Sequence, residues 1–254
     1  MTIAKNTKPK LPAYQEVIYG DIYGDKNKCA AMDNVFGCSL RTLFQYKKLV
    51  NAAVQELKMS QSLLQLGVVF GNEIDEVAMA IGAYGQYDIV DVNPFQVERV
   101  TEKYWRVYQG MKVFCQDAAN LKLKGQYDVV LCFMLLSEVP SASKTKIVNN
   151  ALKMVKPGGK AVFVDWHRPL FYHPLRYVVR MYNRLYNPFV ERLWDRDINT
   201  FASSELRAQF VWRKNTYFGR MFQKTIAERK ENPLEEKPEE QNFFRPSDLG
   251  LADF

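Results

Sequence analysis

The sequence lacks the features that direct a protein into or across a membrane. Its 254 residues include no uncharged apolar run of about 18 residues, so no membrane-spanning helix is predicted. The N-terminus has no apolar stretch of the signal-peptide kind, which argues against secretion. Instead, Lys5, Lys8 and Lys10 precede Pro12, and we expect residues 1–13 to form a flexible basic lead.

Cysteine and histidine are scarce, which argues against the common structural metal sites. The four cysteines form no CxxC pair and the two histidines do not cluster with them, so no structural zinc site is predicted. Cys115 and Cys132 lie in apolar, strand-like runs, where we expect buried, reduced thiols. Reduced thiols are typical of the cytoplasm.

The formal net charge of +7 predicts an anionic partner, either nucleic acid or an acidic lipid surface. A chain of this length suits one α/β domain with elaborations. We place that domain at residues 61–230, after a helical lid segment at 14–60. An acidic, proline-containing tail at 231–254 is predicted to be mobile.

Strand and helix patterns alternate through the middle of the chain. The predicted strands lie at residues 63–67, 87–92, 111–116, 127–133 and 160–165. The predicted helices between them lie at 73–81, 95–108 and 141–155. This rhythm predicts an α/β fold with an open, mostly parallel sheet. In such sheets the ligand lies at the carboxyl ends of the strands.

The first predicted strand runs into a glycine-marked turn at residues 63–72. Gly67 and Gly71 allow a ligand to approach the backbone, and the N-terminus of the following helix favours a negative group. Gln65 lies in the strand that leads into this turn. Two glycines alone are a weak motif, since a tight turn without a ligand has the same pattern.

Acidic residues end the next two predicted strands. Asp91, followed by Val92, can accept hydrogen bonds from both ribose hydroxyls of an adenosyl group. Asp117, followed by Ala118, can meet the adenine amino group. Each aspartate has an alternative role as the cap of a turn. A glycine turn and two aspartates at three successive strand ends favour an adenosyl-ligand pocket more than any one of them does.

The last two predicted strands bring further polar residues to the same edge of the sheet. Glu138 is a candidate base, metal ligand or substrate contact, with a solvated loop residue as the alternative. Asp165 and His167 are candidate catalytic residues, although a lone histidine is more often structural. The candidate substrate contacts are Trp166 and Arg168 beside them and Tyr19 and Tyr23 in the helical lid segment.

An amphipathic helix with a basic face is predicted at about residues 170–200, after the fifth strand. Arg176, Arg180 and Arg184 are spaced four apart and share one helical face. Apolar residues line another face: Leu175, Val178, Val179, Tyr182 and Tyr186. Such a helix is typical of an ordinary protein surface, of attachment to an anionic membrane, or of a cap over a hydrophobic substrate.

These motifs resemble those of class I S-adenosylmethionine (SAM) methyltransferases. More narrowly, they resemble the rhodoquinone biosynthesis enzymes, which are relatives of quinone methyltransferases. The matching segments lie at residues 64–71, 90–94, 116–117, 157–160, 164–169, 173–176, 189–194 and 217–224. The last three segments lie outside the shared methyltransferase core and carry most of the specificity.

The resemblance implies a Rossmann-like fold, SAM as co-substrate and an unusual reaction. Enzymes of this family use SAM as an amino donor, together with Mn²⁺, to replace a methoxy group of ubiquinone with an amino group. The implied partners are ubiquinone in the bilayer and an anionic membrane surface, not nucleic acid. The implied location is the cytoplasmic face of the inner membrane, or the matrix side in a mitochondrion. Candidate metal ligands are Glu138, Asp165 and His167.

The chain departs from this family at three positions near the pocket. Ser137 stands where histidine is common, Phe70 where tyrosine is common and Asn72 where aspartate is common. Each change removes a titratable or hydrogen-bonding group. A conventional SAM-dependent methyltransferase acting on a quinone or other small apolar substrate is therefore an alternative, and a non-enzymatic SAM- or lipid-binding protein is a second one.

Gln65 replaces the acidic residue that begins the glycine motif of methyltransferases. The amine of SAM must be neutral to act as a nucleophile, and a nearby carboxylate would raise its pKa above the usual value of about 8. We hypothesise that Gln65 contacts the amine without stabilising its charged form. The alternative is that Gln65 is a neutral variant in a pocket that still transfers methyl groups.

Overall fold

The computed structural model describes residues 12–16, 20, 25–104 and 106–231. Tyr19 and Tyr23 lie outside these ranges, as do the basic lead up to residue 11 and the acidic tail beyond residue 231. Within the described ranges, no helix has the length and apolar character needed to cross a membrane.

One sheet forms the centre of the fold. Its strands are β1 (Ser62–Leu66), β2 (Gln86–Asp91), β3 (Met111–Cys115), β4 (Tyr127–Phe133), β5 (Val155–Trp166), β6 (Phe210–Tyr217) and β7 (Phe222–Arg229). Their order across the sheet is β3-β2-β1-β4-β5-β7-β6. The first five strands are parallel, and β7 is antiparallel to both β5 and β6. The strand order reverses between β1 and β4, which is where open α/β sheets bind ligands.

Helices cover both faces of this sheet. They are α1 (Lys26–Met32), α2 (Val35–Arg41), α3 (Tyr46–Val54), α4 (Glu73–Ile81), α5 (Pro94–Tyr104), α6 (Ser141–Lys153), α7 (Arg176–Tyr186), α8 (Glu191–Asp195) and α9 (Ser204–Ala208). Short 3₁₀ turns lie at Ala118–Asn120, Leu136–Glu138 and Ile198–Phe201. The helical segment predicted at 14–60 contains α1, α2 and α3, and Asn34 separates the first two by capping α2 with its side chain.

The two faces of the sheet bury separate apolar clusters because side chains alternate along each strand. Leu63 of β1 packs in the cluster that includes α3 and α4, whereas Leu64 and Leu66 pack in the cluster that includes α6. Gln65 shares the face of Leu63 and is fully buried. A buried amide needs hydrogen-bond partners, so the surroundings of Gln65 must supply them.

The predicted α/β fold with an open, mostly parallel sheet is confirmed. The hairpin of β6 and β7 is absent from the sequence prediction, because its residues do not form an apolar strand pattern. β7 buries the polar residues Gln223, Lys224 and Thr225. Lys224 is accommodated by a 2.5 Å ion pair with Glu56. β6 exposes Arg213 at the edge of the sheet, where charged residues discourage pairing with other chains.

Candidate functional site

A cavity of about 400 Å³ lies at the carboxyl ends of the parallel strands. This volume is in the range of small-molecule sites. Seven of the predicted site residues line it: Gly67, Asp91, Val92, Asp117, Ala118, Glu138 and Trp166. The topology therefore brings together residues that are up to about a hundred positions apart in the chain, because parallel strands end at one edge of the sheet.

Asp91 is held at the end of β2 by backbone amides. Its carboxylate accepts hydrogen bonds of 2.7 Å from the N–H groups of Val68 and Asn93. Burial raises the pKa of Asp91 to about 6, although the two hydrogen bonds and the charge of Arg99 oppose this shift. The carboxyl group is therefore mostly ionised at neutral pH, and its oxygens retain lone pairs for ligand hydroxyls.

Asp117 caps a turn, which is one of its two predicted roles, and it also lines the cavity. Its side chain caps the 3₁₀ turn after β3 by accepting hydrogen bonds from Ala119 N at 2.8 Å and from Asn120 Nδ2 at 2.9 Å. The same residue lines the cavity, together with Gln116 and Ala118. The cap fixes the carboxylate at the rim without excluding it from the site.

The two glycines of the turn after β1 have different neighbours. Both have positive φ, +85° at Gly67 and +97° at Gly71. Gly67 lines the cavity opposite Leu135, whereas a Cβ on Gly71 would lie 2.5 Å from the hydroxyl of Tyr46. That hydroxyl donates to Phe70 O and accepts from the backbone N–H of α4, each at 3.0 Å. Gly71 therefore serves the packing of the turn and is not part of the cavity wall.

Gly71→Ala is expected to lower the free energy of unfolding by about 2 kcal/mol, because it combines an unfavourable φ with a collision against Tyr46. Calorimetric unfolding measures the loss. Gly125→Ala is the matched control, since Gly125 has φ +116° but nothing within 4 Å of an added Cβ. Equal losses in the two variants would show that the Tyr46 contact is not what requires glycine.

Gln65 lies beneath the turn, in a buried hydrogen-bond network. Its Nε2 donates to Gly67 O at 3.1 Å and to Glu73 Oε2 at 2.9 Å. Its Oε1 accepts a hydrogen bond from the hydroxyl of Tyr87. This placement differs from the predicted contact with a ligand amine, because both ends of the amide are occupied by protein partners. Gln65 instead holds the carbonyl of Gly67, which belongs to the cavity wall.

Glu73 places a carboxyl group beside Gln65, the residue that replaces the acidic residue of the glycine motif. It is buried in the first turn of α4, and its Oε1 has no hydrogen-bond partner among the described residues. Burial raises the pKa of Glu73 to about 7, and the hydrogen bond from Gln65 only partly offsets this. The carboxyl group is therefore close to half-protonated at neutral pH.

The candidate site residues at the end of β5 and directly after it have different surroundings in the structure. Asp165 is buried and accepts hydrogen bonds from Ser137 N at 3.1 Å and Trp166 N at 2.7 Å, and burial raises its pKa. His167 is buried, and its Nδ1 lies 2.9 Å from Arg220 O. Of the four candidate site residues from 165 to 168, Trp166 alone lines this cavity, and Arg168 lines a different one.

The neutral state of His167 follows from its surroundings. Burial lowers the pKa of His167. Its Nδ1 faces the carbonyl oxygens of Arg168 and Arg220, so this nitrogen carries the proton and donates. The side chain therefore anchors the chain after β5 to the turn before β7, in place of the predicted catalytic role.

The described residues do not fit a manganese site. No group of three or more His, Cys, Asp or Glu side chains within these ranges is arranged to hold a metal ion. Of the three predicted ligands, only Glu138 lines the cavity, whereas Asp165 and His167 are engaged with backbone groups. We therefore assign no chemical step to a metal.

Tyr14 and Gln15 also line the cavity, although they are not among the residues predicted from the sequence. A helical turn at residues 13–16 brings them to the strand ends. Burial raises the pKa of Tyr14, and the negative charges of Asp117, Asp91 and Glu138 add to the shift. The hydroxyl thus remains protonated and can donate. Tyr14 lies in the same helical lid segment as Tyr19 and Tyr23, but no motif marks it in the sequence.

The opposite side of the cavity is apolar and continues onto the protein surface. Phe133, Met134, Val139 and Trp166 line this side, and Tyr182 and Leu185 of α7 border it. Large exposed apolar side chains then form what we call the apolar surface: Phe171, Tyr172, Tyr177, Val178, Met181 and Leu185. Because Leu185 belongs to both, the cavity and the apolar surface are continuous.

The exposed side of α7 differs from the prediction. The apolar face predicted from Leu175 to Tyr186 is divided, because Val179 packs into the core at 2% exposure whereas Val178 is 55% exposed. Val178 therefore belongs to the apolar surface, and Arg180 and Arg184 of the same helix are also exposed. Arginine and apolar side chains thus occur together on the solvent side of one helix.

Residues 63–159 match the family model described as a methyltransferase domain. Among curated proteins, none matches the chain. The matched segment runs from β1 into β5, and the class I methyltransferase-like fold extends past it through the rest of β5 and the β6–β7 hairpin.

Solved structures of methyltransferases share the fold at low sequence identity. An O-methyltransferase family protein from Burkholderia thailandensis is 16% identical, with a TM-score of 0.59 over 89% of this chain and 65% of that chain. The N-methyltransferase NodS from Bradyrhizobium japonicum, in complex with S-adenosyl-L-homocysteine, is 11% identical, with a TM-score of 0.55 over 86% and 99%. Human N-acetylserotonin methyltransferase, in complex with SAM, is 13% identical, with a TM-score of 0.53 over 87% and 60%.

Proposed function

We propose that the protein is a SAM-dependent methyltransferase that acts on a quinol or another small apolar substrate taken from an anionic membrane. The observation that carries this proposal is the division of one cavity into two halves. Carboxylates lie at the ends of β2 and β3, and an apolar half opens onto the apolar surface through Leu185. The first half suits an adenosyl ligand and the second suits an apolar acceptor.

The polar half provides the groups that SAM needs. Asp91 would accept hydrogen bonds from the ribose hydroxyls, and Asp117 with Ala118 would border the adenine. Gly67 allows the chain of the ligand to lie against the backbone of the turn. Solved structures with this fold bind SAM or S-adenosyl-L-homocysteine, which supports the same ligand here.

The chemistry requires an acceptor oxygen, a methyl donor and a place for one proton. In methyl transfer to a quinol, the hydroxyl oxygen bonds to the methyl carbon as the carbon–sulfur bond breaks, and S-adenosyl-L-homocysteine leaves. The hydroxyl proton passes to a base. We assign this role to Glu138, because it is the carboxylate that lines the cavity from the 3₁₀ turn after β4. The apolar walls exclude water from the methyl group.

The reaction is tested by incubating the protein with SAM and a quinol that carries a free ring hydroxyl. S-adenosyl-L-homocysteine should form only when both substrates are present, and the quinol should gain the mass of one methyl group. Binding of SAM without turnover on any apolar acceptor would favour a non-enzymatic SAM-binding protein.

A second candidate is the amino transfer of rhodoquinone biosynthesis, in which the amine of SAM replaces a methoxy group of ubiquinone. The sequence feature that favours it is the absence of a carboxylate at position 65, although the amide of Gln65 lies in a buried network and not in the cavity wall. The carboxyl group of Glu73 lies 2.9 Å from that amide but is only partly charged at neutral pH. Mass spectrometry of ubiquinone after incubation with SAM, with and without added Mn²⁺, tests for an amino-for-methoxy product.

We place the protein at the cytoplasmic or matrix face of a membrane, with a lipid surface as its partner in place of nucleic acid. Apolar and arginine side chains are mixed on the exposed side of α7, which is the composition of interfacial helices. A quinone with an isoprenoid tail stays in the bilayer, so an enzyme that modifies it must reach the bilayer surface.

Replacing Tyr177, Val178 and Met181 together with serine is expected to abolish flotation with anionic liposomes, because all three are exposed and apolar. Turnover of a substrate without an isoprenoid tail should remain, since none of the three lines the cavity. The matched control replaces Met79 and Tyr84, which are exposed elsewhere on the protein. If the triple variant floats as well as the control, the apolar surface is not the membrane contact.

A further inference from the structure

A second cavity, of about 240 Å³, lies between the segment after β5 and helices α7 and α8. It is lined by Arg168, Pro169, Arg176, Arg180, Glu191, Trp194 and Asp195. Three arginines face two carboxylates, so its wall carries a net positive charge. The methyl-transfer site does not use these residues.

Trp194 contributes its indole ring to the wall of this cavity. Its Nε1 is buried and has no hydrogen-bond partner within the described ranges. A buried N–H group without an acceptor is unfavourable, and it calls for an acceptor from water or a ligand.

We propose that this cavity binds the phosphate group of an anionic phospholipid. The planar guanidinium group of arginine matches two phosphate oxygens at once, so an arginine-lined cavity prefers phosphate to other anions of equal charge. The inference deepens the proposed membrane location and rests on it. It goes further in assigning a specific headgroup site next to the helix that contacts the bilayer.

Arg176 links this cavity to the apolar surface, which is the reason to choose a lipid over a free phosphate. Its Nη1 donates to Phe171 O at 3.1 Å, and its guanidinium lies 5.9 Å from the ring centre of Tyr177. Both aromatic residues are more than two-thirds exposed. A phosphate beside Arg176 would therefore have its acyl chains next to apolar side chains.

Glu191 is expected to weaken the binding of phosphate in this cavity. Its carboxylate lies 3.9 Å from Arg180 Nε, so it competes with an incoming phosphate for the same arginine. Glu191→Gln is expected to strengthen phosphate binding by about fivefold, the effect of one charge near an anionic surface.

The test compares two sets of vesicles with equal surface charge, one containing phosphatidic acid and the other containing a fatty acid. Binding of the full-length protein is measured by co-sedimentation and by the change in tryptophan fluorescence. The protein should bind the phosphatidic acid vesicles at least fivefold more tightly than the fatty acid vesicles. Equal binding to both sets would show that surface charge alone is recognised and would overturn the proposal.

Arg180→Gln and Arg184→Gln form a matched pair, because both arginines are exposed on α7 but only Arg180 lines the cavity. Arg180→Gln should abolish the preference for phosphatidic acid, whereas Arg184→Gln should weaken binding to both vesicle sets equally. Loss of the preference in both variants would overturn the proposal. Competition by glycerol 3-phosphate as strong as that by the lipid would instead assign the cavity to a soluble phosphate ester.

Turnover of a tail-less quinol separates this proposal from the proposed function. The Arg180→Gln variant should retain that turnover, since Arg180 is outside the methyl-transfer cavity. If the unmodified protein shows no turnover but still prefers phosphatidic acid, the proposed function fails and the phosphate site stands. If the protein turns over the quinol but shows no preference for phosphatidic acid, the phosphate site fails and the proposed function stands.

Discussion

Gln65→Glu is expected to destabilise the protein by about 3 kcal/mol at pH 8 and by less at pH 6. The new carboxyl group would lie about 2.9 Å from that of Glu73, inside the core. Two buried carboxyl groups at this distance share one proton, and charging both leaves an uncompensated buried charge worth roughly 3–5 kcal/mol. Thermal unfolding at both pH values measures the difference.

The sign of the pH dependence follows from the raised pKa of Glu73. A carboxyl group with a folded-state pKa of about 7, above its ordinary value of 4.5, binds more protons in the folded protein than in the unfolded chain. Its contribution to stability therefore falls as pH rises through the interval between those two values. A second carboxyl group beside it extends that loss to higher pH.

The exchanged double variant, Gln65→Glu with Glu73→Gln, is the control. It keeps one carboxyl group and one amide in contact, so it should recover most of the stability lost by Gln65→Glu. It also places a carboxylate at the first position of the glycine motif in a folded protein. If the single variant is equally stable at pH 6 and pH 8, or the exchange recovers nothing, the buried network does not act as described.

Asp91→Asn is expected to weaken binding of S-adenosyl-L-homocysteine by about 10- to 100-fold. A hydrogen bond to a charged group contributes roughly 1.5–3 kcal/mol, and the amide nitrogen of asparagine cannot accept one. The substitution would also disturb the bond from Val68 N, which shapes the turn that faces the ligand. Isothermal titration calorimetry gives the dissociation constant directly.

Asp88→Asn is the matched control on the same strand. Asp88 is buried and accepts hydrogen bonds from Gln86 and Tyr127, but it does not line the cavity. The change should lower stability and leave the dissociation constant within about twofold, since no ligand contact is lost. If Asp88→Asn weakens binding as much as Asp91→Asn does, the effect of Asp91 is general and not due to a ligand contact.

The sequence predicts the sheet and the strand-end carboxylates because both follow from simple patterns. Apolar runs of strand length alternate with helical segments, and Asp91 and Asp117 end two of those runs. Parallel pairing then places them at one edge, without further information. The hairpin of β6 and β7 escapes prediction because buried Lys224 and its ion pair replace the apolar pattern expected of an inner strand.

Side-chain direction is the part that the sequence does not determine. The glycine motif locates Gln65 correctly at the end of β1, but its contacts depend on Glu73 and Tyr87, which come from other elements. Tyr14 joins the cavity through the path of the chain before α1, which no local pattern describes. The exposure of Val178 likewise depends on which side of α7 meets the core.

Isotopically labelled SAM tests the proposed reaction most directly. SAM with a deuterated methyl group and a ¹⁵N-labelled amine is incubated with the protein and vesicles that contain both ubiquinone and a quinol with a free ring hydroxyl. The lipid extract is analysed by mass spectrometry. Methyl transfer predicts deuterium in the methylated quinol and ¹⁵N retained in S-adenosyl-L-homocysteine. If the ubiquinone product carries ¹⁵N but no deuterium, methyl transfer is contradicted and amino transfer is established. If neither label enters the lipid extract, the protein is not a SAM-dependent transferase that acts on quinones or quinols.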